Sequence, residues 1–268
     1  MLKSCVFFVF VFALVSSLSH AGLDVDNAWG DIVALYKFDD DHDDGPRGFD
    51  AQLQEGAVIE SGGRGKCLKL MKKGSFGSFL NDHHIALSNE FSIVVWVKLN
   101  PQEDSLNIGM HGLTEDEDSV GSAGMSVLPD GNLWGSFYHA ATERTLEKNV
   151  NLQTQDKNLS DNKWHHIAFT SYEGIYNLFI DGQLAARRHI DDYISLWGDK
   201  TNIYVTNANA KGSFNDRILV DELGFFETGL SIYEVRAVRQ FGFDAFLQAM
   251  PVEPTGKIAT TWGTLKMR

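Results

Sequence analysis

Apolar and polar residues alternate along much of this chain with a period of two. In Phe91-Ser92-Ile93-Val94-Val95-Trp96-Val97-Lys98-Leu99, the odd-numbered positions Phe91, Ile93, Val95, Val97 and Leu99 are uniformly apolar, while Ser92, Val94, Trp96 and Lys98 are mixed. That is the pattern of a strand with one face in a core. Shorter strands read at Met125–Leu128, Leu133–Tyr138, Trp164–Ser171, Tyr176–Ile180 and Gln183–Ala186. Asp130-Gly131 and Asp181-Gly182 predict tight hairpins of type I′, and Glu173-Gly174 turns the chain once more. Short strands between turn signals, with no alternation of strand and helix, predict an all-β protein of two stacked antiparallel sheets. Residues from Ile32 to Phe226 are expected to alternate into its interior. The polar stretches Pro101–Gly124 and Glu143–Lys163 read as surface loops.

One short C-terminal helix interrupts this pattern. Ser231-Ile232-Tyr233-Glu234 has the form of a capping box, in which Ser231 accepts from first-turn amides and Glu234 reaches back. Val235, Val238, Phe241 and Phe246 supply an apolar stripe, and Pro251 to Gly256 then reads as an extended linker.

The two ends differ from the middle. Lys3 precedes an unbroken apolar run from Val6 to Val15, and Ser19-His20-Ala21 places small residues where a signal peptidase reads them. Residues 1–21 are therefore expected to be a signal peptide, 22–250 the sandwich domain and 251–268 a short tail. The apolar run is too short for a stable membrane span, so no membrane insertion is expected after cleavage.

Without Lys3 the chain carries 22 basic and 36 acidic residues, a balance of −14. Such a charge repels nucleic acid and favours cations. Cys67 alone remains after loss of Cys5, so no internal disulfide can form. Export without disulfides fits a secreted, extracellular or periplasmic protein of bacterial type.

Several segments resemble laminin-G-like domains of the concanavalin A-like lectin/glucanase group in order and spacing. Leu159-Ser160-Asp161-Asn162-Lys163-Trp164-His165-His166-Ile167-Ala168 resembles their strand entry, and Leu178-Phe179-Ile180-Asp181-Gly182-Gln183 the hairpin that follows. Tyr36 to Asp39 with Asp43 to Gly56 is similar to their first strand and loop, and Phe91 to Leu99 to their central strand. Val220 to Phe226, then Gly229-Leu230-Ser231, resembles their closing strand and short helix. Pro46 and Phe49 depart from the small polar residues usual in that first loop. The resemblance spans roughly Asp31 to Val238 and implies a jelly-roll sandwich.

It also implies a structural calcium between the first loop and the closing strand, with Asp43 and Asp221 as ligands. Asp50 and the Gly48 carbonyl are additions, and Asp39 a further candidate. The run Asp39-Asp40-Asp41-His42-Asp43-Asp44 concentrates charge that a divalent ion would relieve. An acidic solvated loop that selects no ion is the other reading of the same residues.

Hydrolysis by paired carboxylates is the rival chemistry on such sandwiches. Glu115-Asp116-Glu117-Asp118 is the local run that imitates it, and it reads as a polar loop. His83-His84 and His165-His166 cannot close on one metal as adjacent strand residues, since neighbours point to opposite faces. Trp134, Tyr138 and Trp197 lie near hairpin ends or loops, where they either stack on a sugar or close the sandwich edge. The expectation is a non-catalytic adhesion or recognition module for a glycan or extracellular protein. A structural surface or matrix component is the alternative, and a glycoside hydrolase a weaker one.

Overall fold

A computed structural model describes residues 32–42, 44–46, 48–53, 56–62, 64–71, 76–81, 90–101, 105–113, 119–139, 150–190, 200–206 and 218–249. The expected signal peptide and tail lie outside these residues. The first strands are β1 (Ile32–Tyr36), β2 (Gln52–Leu53), β3 (Ala57–Ser61), β4 (Lys66–Leu70), β5 (Phe76–Asn81), β6 (Phe91–Lys98) and β7 (Leu106–Leu113). β8 (Ser119–Val127), β9 (Leu133–His139), β10 (Val150–Gln153), β11 (Trp164–Tyr172) and β12 (Ile175–Ile180) follow. β13 (Gln183–His189), β14 (Lys200–Thr206), β15 (Ile218–Phe226) and helix α1 (Ile232–Ala249) complete the fold.

The strands form two antiparallel sheets. One is eight-stranded in the order β13-β12-β11-β6-β15-β4-β3, with β1 also pairing to β15; the other is seven-stranded, β10-β9-β8-β7-β14-β5-β2. Phe91, Ile93, Val95, Val97 and Leu99 all enter the core between them, as the period of two requires. Phe91 stacks on Phe137 of the facing sheet at 5.5 Å and meets Phe169 edge-on at 5.1 Å. A Cβ on Gly135 would come within 2.8 Å of Leu178 Cδ2, so this position is small to let the facing sheet approach.

Three local readings need correction. The stretch 101–124 is not a loop throughout, since β7 and most of β8 fall within it, and β10 falls within 143–163. Asp181-Gly182 and Glu173-Gly174 do adopt left-handed φ at both positions, as a type I′ turn demands. At Asp130-Gly131 only Gly131 does so (φ 79°). There the Gly131 N–H donates to the Leu128 carbonyl and the Leu128 N–H to that of Asn132, both at 2.9 Å, a wider connection closed by the glycine.

α1 covers the outer face of the eight-stranded sheet, where Val94, Ala168, Phe179 and Phe226 join Val235, Val238, Phe243 and Phe246 in a second apolar cluster. The capping box is formed: the Ser231 N–H donates to Glu234 Oε2 at 2.6 Å and the Glu234 N–H to Ser231 Oγ at 3.3 Å. Phe241 does not join the stripe and is 49% exposed. Gly242 (φ 72°, ψ 175°) breaks the helix and rephases it, so Phe243 turns inward in its place.

Candidate functional site

The seven-stranded sheet keeps its other face clear of α1, and strand register assembles that face row by row. Leu106, Ile108 and Met110 of β7, Ala123, Met125 and Val127 of β8, and Ile203 and Val205 of β14 point into the core. Their neighbours therefore point outward. One outer row runs Thr206, Asn107, Ser126, Trp134 and Gln153 across β14, β7, β8, β9 and β10. The next runs Tyr204, Gly109, Gly124, Ser136 and Asn151, and a third brings His111 beside Ser122 and Tyr138. Trp134 and Tyr138 thus share one strand and one face, about 13 Å apart at the usual strand rise. Trp134, Tyr138 and Tyr204 are all half-buried.

The middle row has a floor without side chains. An ideal Cβ on Gly109 would lie 2.8 Å from the Tyr204 hydroxyl, and one on Gly124 would lie 3.4 Å from it. Tyr204 therefore lies down across β7 towards β8, in space that two paired glycines leave open. In the row beside it, the Ser126 hydroxyl donates to Asn107 Oδ1 at 2.6 Å. Burial holds the His111 pKa below its ordinary value, which favours the neutral ring. None of the residues named in the three rows is Asp, Glu, Lys or Arg.

Sequence reading singled out Trp134 and Tyr138, and register places both on this face. Trp197 lies outside the described residues, as do His83-His84 and Glu115 to Asp118. Tyr204, Asn107, Ser126 and the glycine pair were missed. Their signal was the alternation of Leu106, Ile108 and Met110 with Asn107, Gly109 and His111.

The expected calcium donors lie elsewhere. Asp221, 4% exposed on β15, faces Arg64 Nε at 3.5 Å, while Arg64 Nη2 reaches Glu222 Oε2 at 3.2 Å. Arg64 Cζ also sits 3.9 Å above the Trp96 ring. Burial, then the neighbouring Glu222 charge, lifts the Asp221 pKa to about 6 against the pull of Arg64. The Asp39 carbonyl accepts from Lys66 Nζ at 2.7 Å, and Asp50 pairs with His42 at 3.2 Å. Gly48 is exposed with φ 67°. Calcium asks for six to eight oxygens around one point. Of the expected donors, the Asp221 carboxylate faces the Arg64 guanidinium and the Asp39 backbone carbonyl accepts from Lys66 Nζ, and among the described residues no three His, Cys, Asp or Glu side chains gather as a metal site. Asp43 lies outside the described residues.

The two adjacent histidines part as strand neighbours must. His165 bridges two carboxylates, Nδ1 to Asp181 Oδ2 at 2.9 Å and Nε2 to Asp161 Oδ1 at 3.0 Å, and the Asp181 bond leads in raising its pKa. His166 is fully buried against Trp96, ring centroids 5.3 Å apart. Cys67 is buried and free, and burial pushes its thiol up to about 11, a poor nucleophile.

Among solved structures, the chain is similar to the binding domain of Paraclostridial Mosquitocidal Protein 1, with TM-score 0.60 and 18% identity over 79% of this chain and 52% of that one. The receptor binding domain of botulinum neurotoxin D matches with TM-score 0.60 and 15% identity, over 79% of this chain and 53% of the other. The botulinum neurotoxin serotype D ligand binding domain in complex with N-acetylneuraminic acid matches at TM-score 0.56 and 15% identity, over 79% and 51%. This chain spans about half the length of those structures. At such identities the likeness is one of fold. No curated protein matches the sequence. Residues 73–236, more than half of the chain, match the family described as the concanavalin A-like lectin/glucanases superfamily, and the chain belongs to that family.

Proposed function

We propose that this protein is a non-catalytic recognition module that binds a glycan on the outer face of its seven-stranded sheet. The observation that carries the reading is the register that sets Trp134, Tyr138 and Tyr204 among Ser, Asn and Gln side chains on one face. Aromatic faces stack on the C–H side of sugar rings, and the hydroxyl and amide groups beside them match sugar hydroxyls, which both donate and accept. The named rows lack the paired carboxylates that glycoside hydrolysis requires. The related folds are binding domains, and one was solved with N-acetylneuraminic acid bound. The apolar run before Ala21 supports export of the module, and among the described residues no helix is long and apolar enough to cross a membrane.

A glycan array followed by titration calorimetry tests this. Trp134→Ala and Tyr138→Ala are each expected to weaken binding about tenfold, the order of one lost stacking contact, with unchanged melting temperature. Full affinity in the double variant would refute the assignment of this face.

A further inference from the structure

We propose that the strip where α1 meets β13, on the opposite side of the molecule from the face assigned above, binds an acidic protein segment with apolar side chains among its carboxylates. Register lays out the outer face of the eight-stranded sheet. Val94, Ala168, Phe179 and Leu184 form one row across β6, β11, β12 and β13, and Ser92, Thr170, Asn177 and Arg187 form the next. α1 covers Val94, Ala168 and Phe179 but leaves Leu184, at the sheet edge, 41% exposed. Arg187 is exposed beside it. The facing wall comes from the helix. Gly182 lets it close in, since a Cβ there would lie 3.0 Å from Arg236 Cγ. Tyr233, three residues before Arg236 and so its neighbour on the helix surface, is 55% exposed.

The two guanidiniums are held but not neutralised. Arg187 Nε donates to Asn177 Oδ1 and Arg236 Nε to the Gly182 carbonyl, each at 2.8 Å. Neutral acceptors thus orient both side chains, and the terminal N–H groups remain as forks. Among the described residues neither arginine pairs with a carboxylate, in a chain with 36 acidic side chains against 23 basic. The nearby acids are committed elsewhere: Asp181 to His165, the His166 N–H and, at 3.8 Å, Arg239, and Glu234 to the Ser231 N–H. Arg188 belongs to a different contact, because it turns to the other face of β13 and donates to the Asn151 carbonyl of β10 at 3.3 Å. A carboxylate-bearing segment supplies what the Arg187 and Arg236 forks lack. Leu184 and Tyr233 beside them receive a peptide's apolar side chains, and an anionic polysaccharide would leave them unused. The net charge of −13 repels such a partner at a distance. That repulsion is screened beyond about 8 Å at physiological salt, whereas the forks act in contact.

The test is selection of short random peptides displayed on phage against the full chain, followed by calorimetry on the enriched peptides. Enrichment of Asp and Glu around Leu, Phe or Tyr is expected. Affinity should fall about tenfold in Arg187→Gln and in Arg236→Gln, the order of one lost charge-assisted bond. Leu184→Asp should abolish binding at unchanged melting temperature, as should replacing the acids of the selected peptide by Asn and Gln. These variants leave Trp134 and Tyr138 untouched, so glycan binding should survive in all of them and the two readings fail separately. Enriched peptides without acidic preference, or affinity indifferent to both arginine substitutions, would overturn the inference. Arginine-dependent binding of a heparin oligosaccharide while no peptide binds, or arginine-dependent self-association in sedimentation, would also overturn it, in favour of a sulfated glycan or a second copy.

Discussion

His166 has no exposed surface, and among the described residues neither ring nitrogen has a hydrogen-bond partner. Burial first, then the nearby Arg239 charge, holds its pKa down to about 3. The ring is thus neutral in the folded protein, whereas in the unfolded chain it titrates near 6.5. Between those values the unfolded state binds more protons, so this residue makes stability fall as pH drops below 6.5. At pH 5 the loss is about 2 kcal/mol. Asp221 and Glu234 act in the opposite direction, because burial raises their carboxyls to about 6 and about 7 and their charge costs stability above those values. Urea denaturation of His166→Phe isolates the histidine. The variant should gain about 2 kcal/mol more, relative to wild type, at pH 5 than at pH 7.5. An equal shift at both pH values would contradict the buried neutral ring. The sequence showed His166 as a strand residue opposite in sense to His165. It did not show that Trp96 and the helix would seal it, because that depends on contacts across strands.

At the scale of elements, legibility followed how strongly the outward positions spoke. β6 and β11 were plain because Phe91, Ile93, Val95 and Val97 of the first and Ile167 and Phe169 of the second alternate into the core. β7 and the first two thirds of β8 were passed over because their outward residues are Asn, Gly, His and Ser, which are weak strand formers. Those same small and polar residues make the candidate face, so the segment hardest to read was the one that carries it. The helix start was legible from its capping box, and its break at Gly242 was not. The turn between β3 and β4 brings a cation to the closing strand. From it Arg64 covers Trp96 and serves Asp221 and Glu222. Removing it leaves two adjacent acids, one almost fully buried, without a counter-charge. Arg64→Ala should cost about 2 kcal/mol at pH 8, and less at pH 5, where Asp221 takes up a proton. Chelation should leave the wild-type melting temperature unchanged. A fall on chelation that calcium reverses would contradict this and restore the calcium site expected from Asp43.

Across the whole molecule, the two sheets share one core but differ on their outer faces. The eight-stranded sheet is covered by α1 and closed by charged networks around Arg64 and His165. The seven-stranded sheet turns aromatic, hydroxyl and amide groups outward. Alternation along the chain revealed that there would be a sandwich. It could not reveal which strands pair, and therefore could not bring Tyr204 to Gly109 and Gly124 from nearly a hundred residues away. The most direct measurement is amide chemical-shift mapping of the isotope-labelled protein titrated with a glycan that binds it. The account predicts shifts concentrated on β7, β8, β9 and β14, strongest near Trp134, Tyr138 and Tyr204. Shifts confined to the turn between β3 and β4, or to α1, would contradict it.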